Sequence, residues 1–216
     1  MPSHESFRQA LSDARLAPYL AACGDDFDLA WELYLWNGEV SASFHEPLKH
    51  LEVTFRNMTH GELLTHYGRP DWWNVIPLAG DGGRLVEEVR DRVRRTARRN
   101  PNADDVVAGL SFGFWVSLLN RGNNAALWTP AVHRVFRPGY RGSRRDLHHP
   151  FEHLRRFRIR IMHYEPIYTR DLGADIRRIH QLIELMAPPM AQEVRRIDTV
   201  PAVMARAPRL PGQPIG

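Results

Sequence analysis

The amino-acid sequence predicts an all-α protein. Apolar side chains recur every three or four residues, as on the buried face of a helix, and the alternation typical of strands is absent. The clearest example is the series Phe44, Leu48, Leu51, Phe55 and Met58, which steps by 4, 3, 4 and 3. Glycines and prolines interrupt the periodic segments where helices of ordinary length begin and end.

Four helices are expected in the first 120 residues. The first covers about 6–23 and ends at Gly24, the residue type that most often closes a helix. Asp25 or Asp26 then caps a long helix that should kink or break near Gly38 and Pro47 and end at Gly68. A third helix spans about 83–99, and Asn102 caps a fourth that runs on through 106–120.

The second half predicts shorter helices and then a tail. Thr129, followed by a proline, should cap a short helix that runs through 133–136. Ser143 is a candidate cap, but Pro150 should prevent a continuous helix from there, so the strong segment is 151–164. Further helices are expected at 171–186 and 188–197. Residues 199–216 are proline-rich without an apolar period, which predicts a disordered tail after a single domain at 1–198.

Composition indicates a globular protein with a substantial core, since 43% of the 216 residues are hydrophobic and 25% are charged. No apolar run approaches the roughly 18 residues that span a bilayer, and the first residues lack a signal-peptide pattern. We therefore expect a cytoplasmic protein without a membrane partner. Cys23 is the only cysteine, which excludes an internal disulfide and a cysteine-based zinc site.

Basic charge comes almost entirely from arginine, which supplies 28 of the 29 basic residues. Compositional bias of the genome is the simpler explanation, but arginine is also the better phosphate ligand because its planar fork donates two hydrogen bonds at once. Residues 134–160 contain nine arginines against Asp146 and Glu152. This excess predicts a surface that attracts a polyanion. The candidate RNA-binding residues are Arg144, Arg145, Arg155, Arg156 and Arg160.

Arg158 and His163 form an arginine, four residues and a histidine near the end of the 151–164 helix. Positions five apart are separated by about 140° around a regular helix, so the two side chains do not share one face. A joint site needs a bent helix end, for which Pro166 provides a reason, or a second copy of the chain. The spacing alone is a weak signal in a chain with 28 arginines and 11 histidines.

Four stretches resemble the Abi-like (abortive-infection) family of the HEPN superfamily of helical RNA-cutting domains, and the resemblance extends over roughly residues 10–190. They are LEVTFRN at 51–57, LSFGFWVSLL at 110–119, LWTPAVHRVF at 127–136 and RIRIMHYEPI at 158–167. The resemblance implies a HEPN-like helical bundle, usually dimeric, with one long first core helix. Arg158 and His163 match the family's Arg-x4-6-His motif, and Glu165 with Pro166 matches the tail that follows it.

The implied activity is that of a metal-independent endoribonuclease, in phage defence or in a toxin–antitoxin pair. His163 would act as general acid and base, and Arg158 would stabilise the phosphate, leaving 2′,3′-cyclic phosphate ends. RNA, a second copy of the chain and an antitoxin or regulatory protein are the expected partners, with no cofactor and no metal. The residue after the motif arginine is usually polar in active members, but here it is Ile159. A catalytically weak RNA-binding module therefore remains an alternative, as does a helical protein–protein adaptor.

A polar stripe on the long helix is a second candidate. His45, Lys49, Glu52, Arg56 and His60 step by 4, 3, 4 and 4, so they share one face. The stripe is either a solvated face with a Glu52–Arg56 pair or the second wall of the RNA cleft. In the second case Glu52 would position Arg56, with Asn57 and His60 in support. The spacing of His45, Glu46 and His50 does not fit a zinc helix.

Two aromatic segments have alternative interpretations. The series Phe112, Trp115 and Leu119 has helical spacing and predicts core or a dimer interface rather than a base-stacking surface. Trp72 and Trp73 fall in a predicted loop, where they would either stack on RNA or close the bundle as a hydrophobic lid.

Overall fold

A computed structural model describes residues 4–137 and 140–211, and no strand occurs within them. The all-α prediction is therefore confirmed. The α-helices are α1 (His4–Leu11), α2 (Asp13–Ala22), α3 (Phe27–Ser43), α4 (His45–Tyr67), α5 (Gly82–Ala97), α6 (Ala103–Gly109), α7 (Phe112–Ser117), α8 (Arg144–Met162), α9 (Leu172–Met186), α10 (Pro188–Ile197) and α11 (Val200–Met204). No helix in the described part of the chain is long and apolar enough to cross a bilayer.

The N-terminal segment forms two helices where one was expected. Ser12 has a φ of 71°, which ends α1, and its side chain accepts a hydrogen bond from the Arg15 backbone N–H and so caps α2. Gly24 then has a φ of 63°, and the Asp26 side chain caps α3 by accepting from the Leu29 N–H at 3.1 Å. The predicted stop and the predicted cap are both confirmed.

The break in the long segment lies at Phe44, not at Gly38 or Pro47. Phe44 is completely buried and links α3 to α4. Gly38 lies inside α3, and Pro47 is the third residue of α4, where a backbone N–H has no intrahelical acceptor to lose. Gly68 ends α4 in the left-handed conformation, as predicted.

The fourth expected helix is also divided. Asn102 caps α6 through a capping box with Asp105, but Ser111 starts α7 as a new N-cap. The predicted cap at Thr129 is wrong, because Thr129 closes a π-helical turn over Asn124–Trp128. A 3₁₀ turn at Val132–Val135 replaces the short helix expected there.

Helix α8 is continuous from Arg144 to Met162, so the expectation that Pro150 would prevent this is wrong. Proline removes one backbone donor, but Ser143 and Asp146 form a reciprocal capping box that satisfies the amides at the start of the helix. The last turn ends at His163, close to the predicted end.

Residues 199–211 are not the disordered tail that composition predicts. They contain α11, in which Val200 is completely buried, and the Val203 carbonyl accepts a hydrogen bond of 2.9 Å from the Trp36 indole N–H. Tertiary packing against α3 therefore offsets the lack of an apolar period. Residues 212–216 lie outside the described residues.

Helix α4 lies at the centre of the bundle and packs against α3, α7, α9 and α10, while α8 packs on α7 and α9. The series Phe112, Trp115 and Leu119 is at most 2% exposed and belongs to the core, as predicted. Trp72 and Trp73 lie in a 3₁₀ turn and are 0% and 6% exposed, so they close the bundle and are not free to stack on RNA.

Candidate functional site

Arg158 lies in a groove between α4 and α8, where it meets a carboxylate. Its Nε atom is 3.1 Å from Oε2 of Glu52, whose side chain is largely buried. His45 and Lys49, from the first turns of α4, line the same groove, which has a volume of about 240 Å³. A single chain therefore brings one histidine, two cations and one carboxylate together at this point.

Two aromatic contacts hold the walls of the groove in place. The Phe151 ring stacks on Phe55 of α4 with centroids 4.2 Å apart, and Phe157 meets Phe44 edge to face at 4.9 Å. Phe157 is completely buried. Arg158 follows it about 100° further around α8, which brings its side chain out at the margin of the aromatic contact, next to Glu52.

His163 lies on a different face of the same helix. It is the C-cap residue of α8, and its backbone N–H donates to the Ile159 carbonyl at 3.0 Å. Its imidazole is exposed, and no described residue makes a hydrogen bond or ion pair with it. Tyr164 then adopts a left-handed φ of 56°, which turns the chain away from the helix axis. Arg158 and His163 are thus about 140° apart on α8 and do not form a pair within one chain.

Glu165 and Arg160 are partners of each other rather than of the motif residues. Arg160 Nε lies 3.1 Å from a Glu165 carboxylate oxygen, and a second guanidinium nitrogen donates to the Pro166 carbonyl at 3.0 Å. Arg15 of α2 donates to the Tyr164 carbonyl at 2.6 Å. These contacts fix the backbone that leaves α8, and they leave Arg160 with less capacity for RNA.

The rest of the polar stripe on α4 does not reach Arg158. The sequence predicted a pair between Glu52 and Arg56, but Glu52 pairs with Arg158. Arg56 instead donates to the Asn57 side-chain oxygen at 3.1 Å. His60 lies eight residues, about 12 Å, beyond Glu52 along α4. Its Nδ1 accepts from the Trp72 indole N–H at 3.1 Å, and burial lowers its pKa. His60 is therefore part of the packing around Trp72, outside the groove.

The predicted RNA-binding arginines are partly neutralised. Arg155 and Arg156 both bind the Glu152 carboxylate, at 2.7 and 2.8 Å, and these hydrogen bonds lower the pKa of Glu152 to about 2. Arg144 donates to the Leu119 carbonyl. Arg145 and Arg156 remain on the outward face of α8, where the Arg156 side chain is 74% exposed.

A histidine–aspartate cluster between α8 and α9 was not predicted from the sequence. His153 of α8 lies 2.6 Å from Asp175 of α9, a carboxylate that is 2% exposed and that also pairs with Arg170 and Arg178. The Arg170 guanidinium also lies over the Phe157 ring. The cluster ties α8 to α9 behind the groove. No spacing pattern could reveal it, because its members come from separate elements.

Comparisons with protein-family models, with curated proteins and with solved structures gave no match to this chain.

Proposed function

We propose that the protein is a metal-independent endoribonuclease that acts as a homodimer, with Arg158 of one copy and His163 of the other at a single phosphate. The separation of these two residues on α8 carries the proposal. Arg158 is held by Glu52 in a groove, while His163 is exposed at the helix end without a side-chain partner among the described residues. Neither residue suffices for the chemistry in one chain, and a two-fold axis near 151–164 would complete two equivalent sites.

The surface around His163 supports dimerisation. Ile159, Met162 and Tyr164 are 38%, 49% and 77% exposed, respectively, although all three are large and apolar. Clusters of exposed apolar residues commonly mark interaction surfaces. A second copy is the occupant that would also supply the missing half of the site.

The chemistry needs a base, an acid and positive charge, and no metal. A neutral imidazole takes the proton from the 2′-hydroxyl, and the 2′-oxygen attacks the adjacent phosphorus. The bond to the 5′-oxygen breaks, and the leaving oxygen takes a proton from the imidazolium. Arg158 stabilises the non-bridging oxygens through two hydrogen bonds. The products carry a 2′,3′-cyclic phosphate and a free 5′-hydroxyl.

Cleavage of total RNA in EDTA tests this proposal directly. His163→Ala should lower the rate by about 10²–10⁴-fold, the usual contribution of a general acid–base group. Arg158→Ala should lower it by about 10²–10³-fold, the usual loss for one oxyanion donor. The control variants are His149→Ala, exposed on the same helix, and Arg95→Ala, exposed on α5, and both should cleave like the parent. A His163→Ala protein that cleaves RNA at the parental rate would contradict the proposal. A role in phage defence or as a toxin also predicts that expression inhibits growth only while His163 is present.

RNA binding without cleavage is a second candidate function. Ile159 beside the motif arginine and the Glu52–Arg158 pair both favour it, because the first cannot hydrogen-bond substrate and the second neutralises the cation. This function predicts RNA affinity that falls steeply with salt, together with no cleavage. Absence of salt-dependent binding would instead favour the protein–protein adaptor, with an antitoxin or regulator as its partner.

A further inference from the structure

A cavity of about 520 Å³ lies between α2, α3 and the end of α8, next to the Arg158 groove. Its volume is within the range of about 300–1,000 Å³ typical of small-ligand sites. Tyr19, Tyr34, Ile161 and Tyr164 contribute aromatic and apolar walls. The cavity thus offers flat apolar surface of the kind that accepts a planar ring.

Two polar side chains that can donate hydrogen bonds, those of Asn37 and Tyr19, line this cavity. Asn37 is 4% exposed, and its side-chain oxygen accepts from the backbone N–H of Ile167 at 2.7 Å and of Tyr168 at 3.2 Å. These two donors fix the amide orientation and leave its NH₂ group for another partner. Tyr19 is 1% exposed, and burial raises its pKa to about 12, so its hydroxyl keeps its proton at neutral pH.

Polar groups at fixed positions in a pocket wall commonly set the orientation of a bound ligand. An amide and a hydroxyl that line one cavity would be satisfied by a ring with carbonyl or ring-nitrogen acceptors. Nucleobases have these groups along their edges.

The cavity adjoins the groove, because His45 and Ile161 line both. Arg15 lines the cavity and has no carboxylate partner in the described part of the chain, and Arg158 lines the groove. Each of the two adjoining spaces therefore has an arginine in its wall, and arginine is a good ligand for the phosphate of a nucleotide.

We propose that the cavity and the groove together bind one nucleotide unit, with the base against Asn37 and Tyr19 and the phosphate between Arg15 and Arg158. If the nucleotide unit is part of an RNA strand, the cavity is the base-binding subsite of the proposed ribonuclease, and the inference then rests on the proposed function. Binding of a free nucleoside monophosphate would use the same contacts.

Two glycines provide a matched pair of variants. Gly38 of α3 lines the cavity, and a Cβ added there would meet no atom within 4 Å, so Gly38→Leu should place its side chain in the space that the base would occupy. Gly61 of α4 has equal free space and lies about 24 Å along the helix from His45. Leucine favours a helix over glycine at both positions, so both variants should fold.

Calorimetric titration of the full chain with the four nucleoside 3′-monophosphates and with inorganic phosphate provides the test. At least one nucleotide should bind more tightly than phosphate. Gly38→Leu should weaken that nucleotide at least tenfold and leave phosphate unchanged, and Gly61→Leu should match the parent. Arg158→Gln should weaken both ligands. Should Gly38→Leu misfold, Leu35→Trp tests the same point, because Leu35 is exposed at the cavity and a larger side chain there occupies space that the base needs.

A nucleotide that binds Gly38→Leu as well as the parent would overturn the inference, as would the absence of nucleotide binding at millimolar concentration. Cleavage of a series of oligoribonucleotides by the parent and by Gly38→Leu shows whether the subsite or the proposed function has failed. If Gly38→Leu cleaves RNA at the parental rate, the base-binding subsite is rejected but the proposed ribonuclease activity is not. If the parent binds nucleotide but does not cleave RNA, the subsite is retained and the proposed ribonuclease activity is rejected.

Discussion

Ile159 is the residue at which this chain departs most clearly from the motif of the family that its sequence resembles. It follows Arg158 directly and is 38% exposed, so it lies at the surface beside the proposed site. An isoleucine there neither binds substrate nor orients the arginine by hydrogen bonding. It does add apolar area to the surface that we assign to the second copy.

Ile159→Asn should raise the cleavage rate, because a polar neighbour can hydrogen-bond the substrate phosphate or Arg158. Asparagine costs only a few tenths of a kcal/mol relative to isoleucine in an exposed helix, so about the same stability is expected. Met162→Asn, at another exposed position of the same helix, is the control for a loss of apolar surface. Equal rates for Ile159→Asn and the parent would show that this position does not limit catalysis.

His60 makes stability depend on pH. Burial lowers its pKa in the folded protein, and its Nδ1 must be unprotonated to accept from Trp72. In the unfolded chain the pKa of His60 returns to about 6.5, so the unfolded chain binds more protons at this residue than the folded protein does. The free energy of unfolding should therefore fall as the pH drops from about 7.5 to 5. Denaturant unfolding of His60→Gln should show a shallower decline over this range. The same slope in the variant and the parent would exclude His60 as a cause.

At the scale of elements, local signals predicted three N-caps correctly and were wrong at Thr129. Asp26, Asn102 and Ser143 each cap a helix through their own side chains, because this interaction involves only neighbouring residues. Predictions that depend on distant contacts were less successful. Proline at 150 did not prevent α8, and residues 199–211 became ordered by packing on α3, which no local pattern can reveal.

Helix α8 should lose stability in acid through Glu152. The hydrogen bond from Arg155, together with that from Arg156, lowers the pKa of Glu152 to about 2. The contribution of Glu152 to the free energy of unfolding is therefore complete above about pH 4.5 and is lost as the pH falls through about 2. Glu152→Gln should lower the free energy of unfolding at pH 7 by about 2 kcal/mol and flatten the decline between about pH 4.5 and 2.

The control is Glu193→Gln, which removes an exposed pair with Arg196 of the same i,i+3 spacing and should change stability little. Thermal or urea unfolding of both variants measures the difference. An acid profile of Glu152→Gln that matches the parent would show that the pair with Arg155 contributes nothing to α8.

At the scale of the molecule, the sequence offered candidate catalytic and binding side chains but did not predict which of them are in contact. The periodicity predicts different faces of one helix for Arg158 and His163, and in the structure Arg158 lies within α8 while His163 is its C-cap residue. The pairing of Arg158 with Glu52 was not predictable, because the two residues are distant in sequence and the helical pattern offered Arg56 as the nearer partner. The cavity beside the groove also depends on α2 and α3, which carry no recognisable motif.

In the proposed ribonuclease, each active site combines residues from two copies of the chain. Mixing Arg158→Ala and His163→Ala subunits, followed by exchange, tests it directly. Half of the dimers should then be mixed, and each mixed dimer keeps one site with both residues, so roughly a quarter of the parental cleavage rate should return. Mixed dimers that form, as seen by native mass spectrometry, yet cleave no faster than either variant alone would contradict the claim.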